Sequence, residues 1–96
     1  MQIVPRCDRA LARAYLQLAR TAATALGGPD QRHWRSRLAV EHDNLRAALR
    51  FALDEGDEEP ALGLCLALWR FWLERGYLGE GRLWLQEALA LGTEPT

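Results

Sequence analysis

Several residue types are scarce in this chain of 96 residues. There is no lysine, so all twelve basic residues are arginine, and valine and isoleucine occur only at Ile3, Val4 and Val40. Alanine and leucine instead supply much of the 49% hydrophobic content. Because β-branched residues favour strands whereas alanine and leucine favour helices, this composition predicts an all-α fold.

Signals for metal binding, cofactor binding and secretion are also missing. Cys7 and Cys65 are far apart in the sequence and form no CxxC motif. His33 and His42 lie nine residues apart, whereas two metal ligands on one helix are usually three or four apart. The first residues lack the apolar core of a secretion signal. We therefore expect no metal, no cofactor and a reduced, cytoplasmic setting.

No catalytic constellation is visible either. The chain has no GxxxxGK[ST] phosphate loop, no pairing of a nucleophile with a base and no carboxylate pair. Its longest apolar run is shorter than the roughly 20 residues that span a bilayer. These absences predict a non-catalytic protein that does not enter a membrane.

Charge is balanced overall but unevenly distributed. The net charge is −1, yet residues 1–50 carry +5 and residues 51–96 carry −6. The balance excludes a uniformly basic binder of nucleic acid. We expect the asymmetry to serve contacts between the two halves or with neighbouring modules.

One apolar stretch, residues 61–76, organises the rest of the chain. From Ala61 to Trp69 only Gly63 is neither apolar nor aromatic. A helix that is hydrophobic all round must be wrapped by other elements, so this is the predicted central helix. Asp57 is suited to cap its start, and Gly76 to end it in a left-handed conformation.

Three further helices are predicted from apolar periodicity and short turns. The first should start at an Asp8 cap and bury Leu11, Tyr15, Leu18, Ala22 and Leu26. The second should start at an Asp30 cap and bury Trp34, Leu38, Leu45, Ala48, Leu49, Ala52 and Leu53. The last should bury Leu78, Gly81, Leu85, Ala88 and Leu89. The polar run 41–44 predicts a kink or short break in the second helix. The expected boundaries are 8–26, 30–55, 58–75 and 78–91.

These helices form a single predicted domain, residues 7–92, between a flexible lead-in at 1–6 and a flexible tail at 93–96. Turns of two or three residues make neighbouring helices antiparallel, which gives an array of αα-hairpins. Gly81, Leu85 and Ala88 match the second-helix positions of a tetratricopeptide unit, although Trp69 stands where glycine is usual. We expect a fragment of about four helices from a tetratricopeptide-like, right-handed superhelix.

Specific segments resemble a known family. They are HWRSRL at 33–38, EHDNLRAAL at 41–49, LALWRFW at 66–72 and RGYLGEGR at 75–82. This pattern is similar to the helical region that follows the winged-helix module in bacterial signal-transducing ATPases of the STAND type. Many of those are predicted transcriptional regulators with a LuxR-type DNA-binding domain. The resemblance implies a tetratricopeptide-like segment for sensing, autoinhibition and oligomer control, while the ATPase motifs themselves are missing here.

Tryptophans and arginines near the end of the chain form the candidate interaction surface. Core and inter-repeat packing is one interpretation of Trp69, Trp72 and Trp84. Another is an aromatic groove for a peptide or an acidic segment, with arginines at its rim. On the last helix, an apolar patch is predicted to be partly exposed or to mediate self-association. The full candidate set is Trp69, Arg70, Trp72, Arg75, Arg82, Leu83, Trp84 and Leu91.

Two classes of function remain at this point. The first is a scaffold or regulatory module that makes protein–protein or interdomain contacts within a signal-transducing ATPase or transcriptional regulator. The second is a superhelix that senses a small inducer, or a free-standing helical adaptor. In the first class the partners are neighbouring domains or a second copy of the chain, with no direct contact to nucleic acid.

Overall fold

Four α-helices account for most of residues 7–92, which are the residues that the computed structural model describes. No strand occurs within this range, so the all-α prediction is confirmed. The predicted lead-in and tail lie outside the described residues. The predicted boundaries agree with the observed ones to within one residue: α1 Arg9–Ala25, α2 Gln31–Asp54, α3 Glu58–Arg75 and α4 Leu78–Gly92.

The helix starts agree only in part with the predicted caps. The Asp8 carboxylate accepts a 2.8 Å hydrogen bond from the Leu11 amide, as an N-cap should. Asp30 and Asp57 occupy the cap positions of α2 and α3, but neither side chain makes a capping hydrogen bond. Acidic residues in the first turn of α3 complement the helix dipole instead.

Both turns that follow α2 and α3 depend on a glycine. Gly76 has φ 78° and Gly56 has φ 67°, a region that residues with a Cβ rarely adopt. After Gly76, the Tyr77 amide donates a 2.8 Å bond to the Trp72 carbonyl, which closes a Schellman turn. A corresponding bond of 2.9 Å closes the turn after Gly56. The two turns reverse the chain in the same way.

Helix α3 is the centre of the fold, as predicted. It packs against α1, α2 and α4, while α2 also contacts α1 and α4. Its buried residues include Phe71 and Trp72, the largest fully buried side chains described. However, Leu66 and Leu73 are exposed, so the expectation that α3 is wrapped on every side is wrong.

The buried face of α1 agrees with the prediction at Ala22 and Leu26 but is shifted by one residue before them. Leu11, Tyr15 and Leu18 are only half-buried, while the fully buried positions are Ala12, Leu16, Ala19, Ala22 and Leu26. The apolar stripe of α1 is broad enough to permit either face. The small alanines allow α3 to approach closely, and this packing decides the rotation.

Helix α4 also uses its smallest residues against α3. Gly81 and Ala88 are buried, whereas Leu85 is half-buried and Leu78 and Leu89 are exposed, contrary to the prediction. A Cβ on Gly81 would lie 2.6 Å from Cε3 of Trp72, so only glycine fits this close approach.

The predicted short break in α2 is wrong, while the alternative of a kink without a break stays a prediction. The helix continues for 24 residues from Gln31 to Asp54. Its polar run suits an unbroken helix, because His42 points into the core while the Asn44 amide bonds to the Glu41 carboxylate at 3.2 Å. Within residues 7–92, none of the helices combines the length and the apolar content needed to cross a membrane.

Candidate interaction surface

A buried polar contact joins α2, α3 and the turn that precedes α4. The indole N–H of Trp72 on α3 donates a 3.1 Å hydrogen bond to Nε2 of His42 on α2. The imidazole stacks on Tyr77, which precedes α4, with 5.0 Å between ring centroids, and meets Phe71 edge-on at 5.3 Å. Burial, followed by the positive charge of Arg46, lowers the pKa of His42. A neutral imidazole is required, because a protonated Nε2 could not accept the indole hydrogen bond.

A charged contact next to it fixes α4 against α2. Arg46 Nε and Nη2 each donate a 2.7 Å bond to the Glu80 carboxylate, a bidentate pairing. The Trp84 indole N–H donates to the same carboxylate at 2.9 Å. Hydrogen bonding from Arg46, with a smaller contribution from Trp84, lowers the pKa of Glu80 to about 2.

Two further pairs connect the basic half of the chain to the acidic half. Arg35 pairs with Glu74 at 2.8 Å, and Arg50 pairs with Glu87 at 3.3 Å. The expected contact between oppositely charged halves is therefore confirmed. On α4, the row of Glu80, Trp84 and Glu87 thus faces α2.

The opposite side of α3 carries an exposed apolar row, which we call the outer stripe: Leu62, Leu66, Trp69 and Leu73. Their spacing of four, three and four residues places them on one helix face. Leu66 is 71% exposed and Leu73 is 54% exposed, while Leu62 and Trp69 are half-buried. The stripe has no covering element among residues 7–92.

Helix α1 borders the outer stripe on one side. A shallow hollow of about 450 Å³ lies between the two helices and is lined by Arg20, Ala23, Thr24, Gly63, Leu66 and Ala67. A Cβ on Gly63 would lie 2.9 Å from the Leu16 side chain and 3.0 Å from Nη2 of Arg20. Gly63 therefore lets the Arg20 guanidinium lie directly beside the stripe.

Helix α4 borders the stripe on the other side. Gly81 and Ala88 of α4 face α3. The residues that directly precede them in the sequence, Glu80 and Glu87, face α2. Each residue along a helix is rotated by about 100° from the one before it, so the residues that directly follow Gly81 and Ala88 point away from α2. They belong to a row that contains Leu78, Arg82, Leu85 and Leu89, again spaced by four, three and four. The outer stripe and these three leucines together form what we call the apolar face.

The structure separates the predicted site residues. Trp69 belongs to the apolar face, Arg70 borders it on α3, and Arg82 stands within its α4 row. Trp72 has no exposed surface and is committed to His42, so it cannot line a groove. Arg75 lies over the Phe71 ring and lines a different hollow of about 450 Å³ with Arg32 and Arg35 on α2. The predicted groove with all three arginines at its rim is therefore wrong.

The predicted patch on α4 is likewise divided. Trp84 is half-buried between Glu80 and Arg50, whose guanidinium lies 5.6 Å from its ring centroid. Leu91 is also half-buried and packs against the core. Leu83 is 65% exposed, on the outer side of α4. Self-association through these three residues stays a prediction.

The sequence did not predict the outer stripe or the hydrogen bond between His42 and Trp72. It also did not predict that Leu78, Leu85 and Leu89 of α4 would extend the apolar face. The four-three-four spacing of residues 62, 66, 69 and 73 was visible, but the uniform hydrophobicity of this segment hid which side faced out. Nothing in the sequence paired His42 with Trp72. Among residues 7–92, no three His, Cys, Asp or Glu side chains gather into a group that could hold a metal ion.

Comparison with known proteins gives no further guide to the site. The chain matches no protein-family model, no curated protein and no solved structure.

Proposed function

We propose that this chain is a non-catalytic helical scaffold or regulatory module that binds protein through the apolar face. The observation that carries the proposal is the uncovered outer stripe. The α1–α2 pair is covered by α3, which contacts both helices. The α3–α4 pair instead exposes leucines on both of its helices, and exposed apolar patches are typical of interaction sites.

The geometry suits a helix as the bound element. The apolar face consists of two rows of side chains with the same spacing, one on α3 and one on α4. A further helix can lay its own apolar row between them, as ridges pack into grooves. The nearest analogue in the fold is α3 itself, which lies across α1 and α2 in this way.

A wider setting follows from the resemblance of the chain to STAND-type ATPases. In that setting the module continues as a tetratricopeptide-like, right-handed superhelix in the cytoplasm, and a neighbouring helical hairpin covers the apolar face. The two turns closed by the same glycine-dependent bonds support a repeating architecture. Reading the coding sequence on either side of this segment tests this part: a phosphate loop upstream supports it, and a different domain type opposes it.

A designed peptide tests the apolar face directly. The probe is a helix of about 18 residues with leucines spaced four, three and four, uncharged residues beside them and a fixed polar far side. Titration calorimetry should show binding to the wild-type chain. Leu66→Gln should weaken it by about tenfold or more, since burying a leucine side chain contributes about 1.5–3 kcal/mol.

Leu83→Gln is the matched control. Leu83 is 65% exposed and Leu66 is 71% exposed, but Leu83 lies outside the apolar face. Glutamine and leucine have similar helix propensities, so neither change should disturb the fold. Binding that is lost with Leu83→Gln and kept with Leu66→Gln would move the interaction site to the outer side of α4. The absence of any binding would remove the proposal.

A further inference from the structure

Arginines lie on both sides of the outer stripe. Arg20 lies beside Leu66 on the α1 side. Arg70 is three or four residues from Leu66 and Leu73 along α3, and one of its guanidinium nitrogens lies near Gly27, close to the end of α1. Arg82 stands within the leucine row of α4. Positive charge therefore lies on both sides of the outer stripe.

The carboxylates that could neutralise these arginines are engaged or distant. Among residues 7–92, no ion pair involves Arg20 or Arg82. Arg70 contacts the Glu74 carboxylate at 3.3 Å, and Arg35 pairs with the same carboxylate. The other acidic residues of α4, Glu80 and Glu87, are turned towards α2 and paired there.

Acidic side chains approach the outer stripe at both ends, but Glu74, which follows Leu73, is already paired with Arg35 and Arg70. Glu58 and Glu59 lie in the first turn of α3, before Leu62. Arg70 and Arg82 lie towards the other end of the stripe, since Gly81 of α4 meets Trp72. The arginines beside the face that have no ion pair among residues 7–92 are therefore Arg20 and Arg82.

We propose that the occupant of the apolar face is an acidic amphipathic helix, with an apolar row flanked by Asp or Glu side chains. This inference rests on the proposed function and adds the chemistry of the partner. The leucines would enclose the apolar row, and Arg20 on one side with Arg82 on the other would each meet a carboxylate. A basic helix of the same shape would be repelled.

Three versions of the designed peptide test this inference. They share the leucine row and the far side, and differ only in flanking positions that hold glutamate, glutamine or lysine. At low salt the glutamate version should bind at least about tenfold more tightly than the lysine version, with glutamine between them. The difference should shrink as salt rises above about 0.15 M, because exposed charges are screened.

Arginine variants locate the charge effect. Arg20→Gln and Arg82→Gln should each reduce the preference for glutamate over lysine, while leaving binding of the glutamine peptide nearly unchanged. Arg32→Gln is the control, because Arg32 is exposed on α2 within the separate hollow beside Arg75. It should leave the preference intact.

The possible results separate the two proposals. Equal binding of all three peptides would overturn the acidic partner and leave the docking face standing. Failure of all three would overturn both. Vesicles of phosphatidylserine and phosphatidylcholine are tested in the same way. If the chain bound the vesicles but none of the peptides, the apolar face would be assigned to an anionic membrane surface instead.

Discussion

Gly81 gives the sharpest test of how α4 sits on α3. A Cβ added at this position would lie 2.6 Å from Cε3 of Trp72 and 3.2 Å from Cδ2. Both atoms belong to a rigid ring that is fully buried and hydrogen-bonded to His42. The ring cannot rotate away without losing that bond, so Gly81→Ala must push the two helices apart or strain the core.

The expected cost can be worked out from opposing effects. Overpacking by one methyl group costs about 1–3 kcal/mol in a close-packed core. Alanine in place of glycine within a helix recovers up to about 1 kcal/mol. Because the contact is far shorter than van der Waals distance and its partner is rigid, the upper part of the range applies, and a net loss of about 1–2 kcal/mol is expected.

Gly79→Ala is the matched control. It lies two residues earlier in α4, and a Cβ there would meet no atom within 4 Å. This change should stabilise the fold by a few tenths of a kcal/mol or more, up to about 1. Urea unfolding followed by circular dichroism measures both variants through their transition midpoints. If Gly81→Ala matched or exceeded the stability of the wild type, the close packing of α4 on Trp72 would be refuted.

The remaining predictions concern charge. The pKa of His42 is lowered in the folded chain, so below about pH 6.5 the unfolded state binds more protons than the folded state. The free energy of unfolding should therefore fall as the pH is lowered, by at most about 1.4 kcal/mol per pH unit. Unfolding curves from pH 8 to 5 should show this fall in the wild type and in His33→Gln, and a smaller fall in His42→Gln; equal slopes in all three would contradict it. Glu80→Gln, which breaks the bidentate contact to Arg46, should destabilise the fold by about 1–2 kcal/mol. Glu87→Gln, at a more exposed pair, should cost no more than about 0.5 kcal/mol in the same assay, and a larger effect than that of Glu80→Gln would contradict the ranking.

The helices and turns follow almost directly from local sequence. The apolar segment ending at Gly76 gave the position and bounds of the central helix, since glycine is the residue that the left-handed turn requires. The rotation of each helix was harder to predict. For α1 and α4 it is set by which small residues meet α3, and small residues add little to a hydrophobic pattern.

The interaction surface depends on tertiary geometry that sequence patterns do not contain. Trp72 and Trp69 are three residues apart and chemically alike, yet one is buried against His42 and the other lies on the outer stripe. The unequal charge of the two halves predicted cross-chain ion pairs in general. It could not show that Arg46 and Arg50 would be paired while Arg20 and Arg82 would not.

The central claim is that a helix docks on the apolar face, and amide chemical shifts can locate that site directly. The chain would be labelled with ¹⁵N and titrated with the glutamate version of the designed peptide. We expect the largest shifts between Leu62 and Leu73 on α3 and around Arg82–Leu89 on α4, with little change in the first half of α2. Shifts concentrated around Arg32 and Arg35, or no saturable shifts in α3, would contradict the account.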